Sequence, residues 1–322
     1  CYQRKVMVIP SHKPCIRHDL PDVIFTHKEA KQKYLIEEII QVHKTGRPIL
    51  IGTASVEESE QLAEELKYAD ISCQVLNAKN DEMEASIIAN AGALYSVTVS
   101  TNMAGRGTDI KLGGSHEEDK GKVMALGGLY VIGTNRHESR RIDNQLRGRA
   151  GRQGDSGTSR FFTSLEDDLM LRYNLKELIP KSLYPKRQEG PLDNPVIQRE
   201  VSSAQRIIEG QNMDMRKDLN KYWAITEHQR QIIWHQRMDI LLYRGKTNFM
   251  LKYSPQRYKG LLHAVGVQAL EKAERQVVLY MINQCWMDYL DYLSYIRESI
   301  HLVNFAKEVP IFEYNKRVVA AF

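Results

Sequence analysis

No apolar run in the chain approaches the roughly 18–20 residues that a spanning helix needs, and no charged leader followed by an apolar stretch opens it. Any membrane contact is therefore expected to be peripheral. Cysteine is scarce: Cys1, Cys15, Cys73 and Cys285 lie far apart with no Cys-x-x-Cys and no Cys/His pairing. That spacing argues against structural zinc and a disulfide framework, and points to a reducing, cytosol-like compartment with no bound metal ligand set. Net charge is small as well, with 45 Lys and Arg against 40 Asp and Glu, or +5, too little to imply nucleic acid by itself. What is present is ordinary globular material: 322 residues, 42% hydrophobic and 26% charged, about two domains in length, which excludes disorder, collagen and a repeat array.

Up to about residue 175 the apolar residues form short β-type runs at Lys5–Pro10, Ile49–Thr53, Gln74–Ala78, Ser96–Thr101, Leu129–Thr134 and Arg160–Ser164. Helical patterns lie between them, one through Ala30, Leu35, Ile36, Ile39 and Ile40, another opening at Ser55 with Glu58 three residues on, a capping box. Alternating strands and helices predict a parallel sheet covered on both faces over residues 1–175. Pro180, Pro185, Gly190, Pro191 and Pro195 then mark a linker over 176–198. From 199 to 245 there is no proline, and Ala204, Ile208, Met215, Leu219, Tyr222, Ile225, Ile232 and Ile240 keep a 3–4 spacing. One helix about 65–70 Å long is expected, too long to bury itself and so a brace between domains. A short stretch, 246–275, and a helical hairpin, 276–322, complete the chain.

Two motifs carry chemistry. Thr101-Asn102-Met103-Ala104-Gly105-Arg106-Gly107-Thr108-Asp109 follows a strand directly, where open α/β sheets place ligands, and its glycines allow backbone to approach a phosphate beside a guanidinium. Taken alone it is equally a tight turn with Arg106 in a surface ion pair. The second, Gln145-Leu146-Arg147-Gly148-Arg149-Ala150-Gly151-Arg152, puts Gln145, Arg149 and Arg152 at i, i+4 and i+7, one face of a helix. Arginine binds phosphate oxygens bidentately and can stabilise charge on a transferring γ-phosphate. Arg136, Arg140, Arg141, Arg147, Arg149 and Arg152 crowd 17 residues with no aromatic among them, so a base-stacking platform is missing and a nucleotide phosphate is the simpler target. The chain has no Gly-x-x-x-x-Gly-Lys-[Ser/Thr] and no Asp-Glu-Ala-Asp-type strand end; Glu166-Asp167-Asp168 reads as a helix N-terminus. Only the arginine half of an ATPase site is present.

Gln-x-x-Gly-Arg-x-x-Arg resembles the sixth motif of superfamily-2 helicase-like motors. The longer runs Val99–Ile110, His137–Asp155, Gly133-Thr134 and Val75–Lys79 resemble the SecA family of protein-translocation motors almost letter for letter. The resemblance implies a second RecA-like nucleotide-binding domain over 1–175, then an all-α scaffold with a long helix (199–245), a reduced wing (246–275) and a two-helix finger (276–322). It implies an ATPase using ATP and Mg²⁺, with the metal held mainly by a first motor domain absent from this sequence. Arg152 would be the arginine finger, assisted by Arg149. Gly105, Arg106, Gly107, Asp109, Gln145 and Gly148 would face the nucleotide, and Phe305, Asn304 and Lys307 at the finger tip would meet substrate or channel. The implied partners are a preprotein, a SecY-type channel, an anionic membrane surface, accessory secretion proteins and a homodimer mate, without nucleic acid. The implied location is cytoplasmic and peripheral at the inner face of the membrane, or stromal in a plant.

A chain that starts at Cys1 and stops inside a helical stretch is expected to be a C-terminal portion, inactive alone. Trp223-Ala224, where the family usually has two aspartates, and the short wing suggest an accessory SecA, unless wing residues were lost. The alternative function is half of a nucleic-acid helicase. A third reading is an adaptor surface: Arg237, Arg244, Lys246, Lys252, Arg257 and Lys259 with Trp234, Phe249 and Tyr253 suit an anionic surface, or equally a solvated helix end. His137 and His301 are expected to pack or cap. Trp286, Tyr289, Tyr292 and Tyr295 are expected to form a packed helix face, and the cysteines to be partly buried thiols.

Overall fold

The structure, a computed structural model, describes residues 5–76, 81–101, 108–173, 190–192, 194–242, 249–306 and 309–322, and only the backbone at 81–83 and 304–306. It divides into two compact units, Tyr2–Asn212 and Met213–Phe322.

The first unit is a wholly parallel sheet. Strands β3 (Ile49–Thr53) and β6 (Leu129–Gly133) are buried at every position, and β5 (Val97–Thr101) at all but its last. Such unbroken apolar runs need cover on both faces. With β4 (Gln74–Leu76), β7 (Gly157–Ser164) and the short β1 (His18–Asp19), the order is β1-β7-β6-β3-β5-β4. Ile49 stands opposite both Val97 and Tyr130, and Gly52 opposite Ser100 and Gly133. A second short strand, β2 (Val23–Phe25), pairs with β7 beyond β1. Pro21 lies between the two, on an edge where its missing N–H costs little.

Helices α1 (Lys28–Lys44) and α2 (Val56–Tyr68) cover one face, packing Leu35, Ile39, Leu62 and Leu66 on Ile51, Val99 and Ile132. Helices α3 (Asp81–Asn90), α4 (Lys120–Ala125) and α5 (Arg140–Arg147) cover the other, with Ile87, Ile88, Val123 and Leu146 against Leu50, Val131 and Phe161. The capping box at α2 forms: Ser55 Oγ accepts the Glu58 N–H (3.2 Å), and the Glu58 carboxylate reaches back to the Ala54 N–H (3.1 Å), one residue before the cap. Helix α6 (Asp168–Arg172) begins within the acidic run, as expected. Where Gly133 of β6 stands opposite Phe161 of β7, an added Cβ would lie 2.4 Å from the Phe161 ring, so glycine is required there.

One expected strand is absent. Residues Lys5–Pro10 are irregular, with Val6, Met7, Val8 and Ile9 exposed. Strand propensity describes fit to a half-buried pleated surface, and among the described residues no strand pairs with this segment. Conversely β1 and β2, two and three residues long, carry too little pattern to be read in advance.

The long helix, α7, runs Pro195–Leu241, 47 residues or about 70 Å. It starts at Pro195, inside the expected linker and four residues before the expected helix start, because proline is tolerated in a helix's first turn; Asn194 Oδ1 accepts the Val196 N–H (2.8 Å) there. In the first unit its Ile197, Val201, Ala204 and Ile208 pack against Ile24, Leu165, Leu169 and Met170.

In the second unit α7 is followed by α8 (Phe249–Tyr253), α9 (Pro255–Val265), α10 (Val267–Ser299), a 3₁₀ segment (Ile300–Ala306) and α11 (Pro310–Ala321). Tyr222 and Ile225 of α7 pack on a core of Tyr289, Leu293, Ile296, Tyr314 and Val318. The Tyr289 hydroxyl lies 2.7 Å from Gln229 Oε1 and 3.1 Å from the Val318 carbonyl. Of the expected aromatic face, Trp286 and Tyr289 join this core, but Tyr292 and Tyr295 are exposed. Leu293 and Ile296 hold the inward stripe instead, since helical periodicity selects i+4 and i+7 from Tyr289. Cys15 and Cys285 are exposed rather than partly buried, whereas Cys73 is half-buried, which pushes its thiol pKa up.

Candidate functional site

The arginine motif begins on α5. Ser139 caps it through a bond from the Arg141 N–H (3.3 Å), and Gly148 follows its last residue. The expectation that Gln145, Arg149 and Arg152 share one helix face is overturned, because the helix stops at Arg147. Gly151 (φ 68°), Gln153 (φ 51°) and Gly154 (φ 78°) adopt left-handed backbone and turn the chain into β7. At Gly151 a Cβ would lie 2.6 Å from the Cβ of Arg17, so the close approach as well as the φ needs glycine.

The turn nonetheless brings the two arginines together. Arg149 Nη1 donates to the Thr108 carbonyl (3.2 Å), while Arg152 Nη1 meets Asp109 Oδ1 (2.6 Å) and its Nε donates to the Gly148 carbonyl (2.9 Å). Both therefore converge on Thr108–Asp109, downstream of β5 in the chain, beside the turn that leads into the amino end of β7. Burial, followed by the neighbouring Arg152 charge, pulls the Arg149 pKa below the usual arginine value; so strong a base stays protonated. The Arg152–Asp109 pair is largely exposed, 36% and 62%, and such a pair exchanges partners at little cost. Gln145 is exposed on α5. Gly105, Arg106, Gly107 and Lys307 lie outside the described residues, as do the side chains of Asn304 and Phe305.

The six-arginine cluster sorts by environment. Arg136 and Arg147 lie over the Phe161 ring at 4.6 and 4.7 Å and are structural. Arg140 and Arg141 are exposed. Only Arg149 and Arg152 meet the Thr108–Asp109 segment.

Asp143, fully buried on α5, went unassigned in the sequence. It accepts from Arg136 Nη1 (2.8 Å), the His137 N–H (3.2 Å), His137 Nδ1 (2.8 Å) and Gln205 Nε2 (2.8 Å) of α7. Burial pushes its carboxyl up, but the His137 bond and the Arg136 charge outweigh it and hold the pKa below the usual range. Asp22, on the other side of Arg136, goes the opposite way because burial dominates there. Gln205 also donates to the His137 carbonyl (2.9 Å), and Glu209, one turn on, accepts the Arg140 N–H (2.6 Å) and the Ser139 hydroxyl (3.1 Å). An acid at a helix N-terminus is favoured by the helix dipole. One signal was available: between Ser139 and Gly154 the chain has a single acid, Asp143, amid five arginines.

A crevice of about 490 Å³ opens between α1 and α2 beside Thr53 and Thr134. Its walls are committed to one another: Lys31 Nζ pairs with Asp167 (2.6 Å) and the Thr134 carbonyl (2.9 Å), and Gln32 with Glu65 (2.7 Å). Among the described residues no group of three or more His, Cys, Asp or Glu could hold a metal ion, and no helix is long and apolar enough to cross a membrane.

Comparison with known proteins gives the geometry its context. The family model for the SecA P-loop domain matches residues 14–121 and 115–183, and that for the SecA wing and scaffold domain matches 191–254 and 246–322. The protein translocase subunit SecA of Mycobacterium avium is 43% identical over 321 residues, covering 100% of this chain and 41% of that protein. The SecA 2 subunit of Thermobifida fusca is 43% identical over 321 residues, with 100% and 42% covered. SecA of Carboxydothermus hydrogenoformans is 37% identical over 418 residues, with 100% and 48% covered. The chain thus spans between two fifths and half the length of these relatives. The sheet with its arginine turn falls within one matched domain and the helical unit within the other, and the chain belongs to the SecA family.

Proposed function

We propose that this chain supplies the arginine half of an ATP site in a protein-translocating ATPase, with the P-loop half on a first motor domain. The observation that carries the reading is the convergence of Arg149 and Arg152 on Thr108–Asp109, the end of the first of the two motifs. Bound there, ATP presents its γ-phosphate, and Arg152 exchanges Asp109 for phosphate oxygens while Arg149 adds a second, fixed charge. Gly105, Arg106, Gly107, Gln145 and Gly148 complete this side of the cleft. In this reading the Mg²⁺ that accompanies the nucleotide is held mainly by the other half.

In this reading residues 1–175 are the second motor domain, 176–198 its linker, 199–245 the scaffold helix, 246–275 a reduced wing and 276–322 the two-helix finger, whose tip residues Asn304, Phe305 and Lys307 contact the polypeptide. Closure around ATP passes from α5 to α7 through Asp143 and Gln205. The work done is movement of an unfolded preprotein through a SecY-type channel, with the protein peripheral on an anionic membrane. The 321-residue alignments with the M. avium and T. fusca proteins, against 418 residues for C. hydrogenoformans, support a naturally short wing, and the SecA 2 name of the T. fusca protein supports an accessory role.

The test joins this chain to a P-loop-bearing motor half and compares ATP hydrolysis with and without Arg152→Ala. Loss of one positioned charge stabilising the transition state is expected to lower kcat by roughly a hundredfold or more, while the 322-residue chain alone hydrolyses nothing. An unchanged rate removes Arg152 from the site, and hydrolysis by the chain alone refutes the split site.

A further inference from the structure

The turn that carries Arg149 and Arg152 is overlaid by a distant segment, residues 13–19. Along an extended chain every second side chain faces the same way, and Lys13, Cys15 and Arg17 all lie on this turn. A Cβ on Gly154 would stand 3.1 Å from the Lys13 side chain, and one on Gly151 would stand 2.6 Å from the Arg17 Cβ. The Cys15 sulfur lies 4.0 Å from the Gly151 carbonyl oxygen.

Arg17 is the member that binds. Its Nη1 donates to the Ala150 carbonyl (3.3 Å), while Nε and Nη2 donate to the two oxygens of Asp19 (2.7 and 3.0 Å). Asp19 in turn accepts from the hydroxyl of Ser159 (2.6 Å), its partner in the β1–β7 pairing. The Arg17 bond holds the Asp19 carboxyl below the usual carboxylate range, so the fork stays ionic at neutral pH. With its side chain only 17% exposed, Arg17 is held between strand and turn rather than extended into solvent. A continuous line of bonds thus runs from β7 through Asp19 and Arg17 to the carbonyl of Ala150, the residue that follows Arg149.

Left-handed backbone at Gly151, Gln153 and Gly154 persists only where the surroundings over-determine it. On one side β7 does so, since a Cβ on Gly157 would stand 2.8 Å from the Ala150 Cβ. Arg17 supplies the other side. We infer that Arg17 is the positioning residue of the arginine site: through the Ala150 carbonyl and the face of Gly151 it fixes the turn from which Arg149 and Arg152 reach Thr108–Asp109. The inference rests on the proposed phosphate-reading role of those two arginines, and names what holds them in place. Arg17 is itself engaged by Asp19 and Ala150, so it acts through the turn and not on the nucleotide. Misplacing a reacting group by about 1 Å can cost roughly a hundredfold in rate, which makes such support part of the site.

Two measurements test it. In the 322-residue chain, amide exchange at Arg149, Ala150 and Asp155, whose N–H groups are bonded across the helix end and the turn, is compared before and after Arg17→Ala. Acceleration by roughly ten- to a hundredfold is expected, with no change in α2. Acceleration confined to Leu20, whose N–H bonds the Ser159 carbonyl (2.8 Å), makes Arg17 an anchor of β1 alone and overturns the assignment. In the protein joined to a P-loop-bearing half, Arg17→Ala should lower kcat by about tenfold or more and leave the ATP KM unchanged. The same substitution in an Arg152→Ala background should lower it no further, because the two residues act as a unit. Arg17→Lys, which keeps the charge beside Asp19 but lacks the planar fork, should fall between native and alanine. Additive losses in the double variant, or a raised KM with kcat intact, overturn the assignment. If Arg152→Ala leaves hydrolysis untouched while turn exchange responds to Arg17→Ala, the arginine-finger reading fails and the positioning of the turn stands. The converse result removes Arg17 and leaves the finger.

Discussion

Replacing Gln205 by alanine removes two of the side-chain bonds between α7 and the arginine-bearing region, one to Asp143 Oδ2 (2.8 Å) and one to the His137 carbonyl (2.9 Å), and leaves those of Glu209 to the Arg140 N–H and the Ser139 hydroxyl. A hydrogen bond to a buried charged group contributes about 1.5–3 kcal/mol net. The apolar packing of Ile197, Val201, Ala204 and Ile208 remains, so the helix should stay docked but open more readily. Amide exchange at residues 203–209 should accelerate by roughly ten- to a hundredfold, since about 1.4 kcal/mol is tenfold. Exchange in α1 and α2, on the opposite face of the sheet, should not change. Combining it with Asp143→Asn tests whether the two residues act as one link: a coupling of about 0.5–3 kcal/mol is expected for a shared network. The same link has a pH signature. The Asp143 carboxyl sits below its usual range in the folded protein, so its contribution is complete above about pH 4, the unfolded carboxylate value, and is lost as pH falls through the lower folded value. Unchanged exchange in Gln205→Ala, or strict additivity in the double variant, would refute the argument that α5 and α7 move as a unit.

Two further perturbations probe the scaffold behind the site. Lys31→Met strands the buried Asp167 carboxylate, whose pKa burial already pushes up against the Lys31 charge; a cost of about 3–5 kcal/mol is expected in urea unfolding followed by circular dichroism. Because that carboxyl protonates more easily folded than unfolded, the variant's deficit should shrink as pH drops through the folded pKa, the reverse of the Asp143 behaviour. Gly133→Ala places a Cβ 2.4 Å from the Phe161 ring, on which Arg136 and Arg147 both lie, and overpacking of this kind costs about 1–3 kcal/mol. A loss below about half a kcal/mol would show that Phe161 is free to shift.

The parts of this molecule that a reader of the sequence can see are those where local pattern and global burial agree. Ile49–Thr53 and Leu129–Gly133 are legible because a run of β-branched and aliphatic residues has one stable environment, the middle of a covered sheet. The capping box at Ser55 and the 47-residue helix are legible for similar reasons, since capping chemistry and the absence of breakers act within a few residues. Val6–Ile9 looks equally strand-like yet stays exposed, because strand formation requires an edge that the segment itself does not encode. The arginine site divides in the same way. Residue identities at Arg149 and Arg152 were legible, but their placement on a common helix face was not, because three glycines at 148, 151 and 154 replace helix with turn. Asp143 and Gln205 are 62 residues apart, a distance at which periodicity is silent.

The failure of the helix-face expectation sharpens the functional argument. On one rigid helix, Arg149 and Arg152 would be fixed relative to α5 and could reach a phosphate only if α5 itself pointed at it. On a turn held by Gly151, Gln153 and Gly154 in left-handed backbone, they instead leave the helix and reach Thr108–Asp109. Gln153 is the costly member, since a side chain in that region carries about 1–2 kcal/mol of strain, and the strain persists because β7 and the Arg17 contact fix both sides of the turn. The helix is thereby released for a different task. Its buried Asp143 and its N-terminus are engaged by Gln205 and Glu209 of α7. One short helix thus lies between the arginine turn and a 47-residue helix that continues into the second unit. The bonds from α5 to α7 give the arginine turn a connection to α7 that does not pass through the sheet. That is why the most informative variant lies at Gln205 rather than at another arginine.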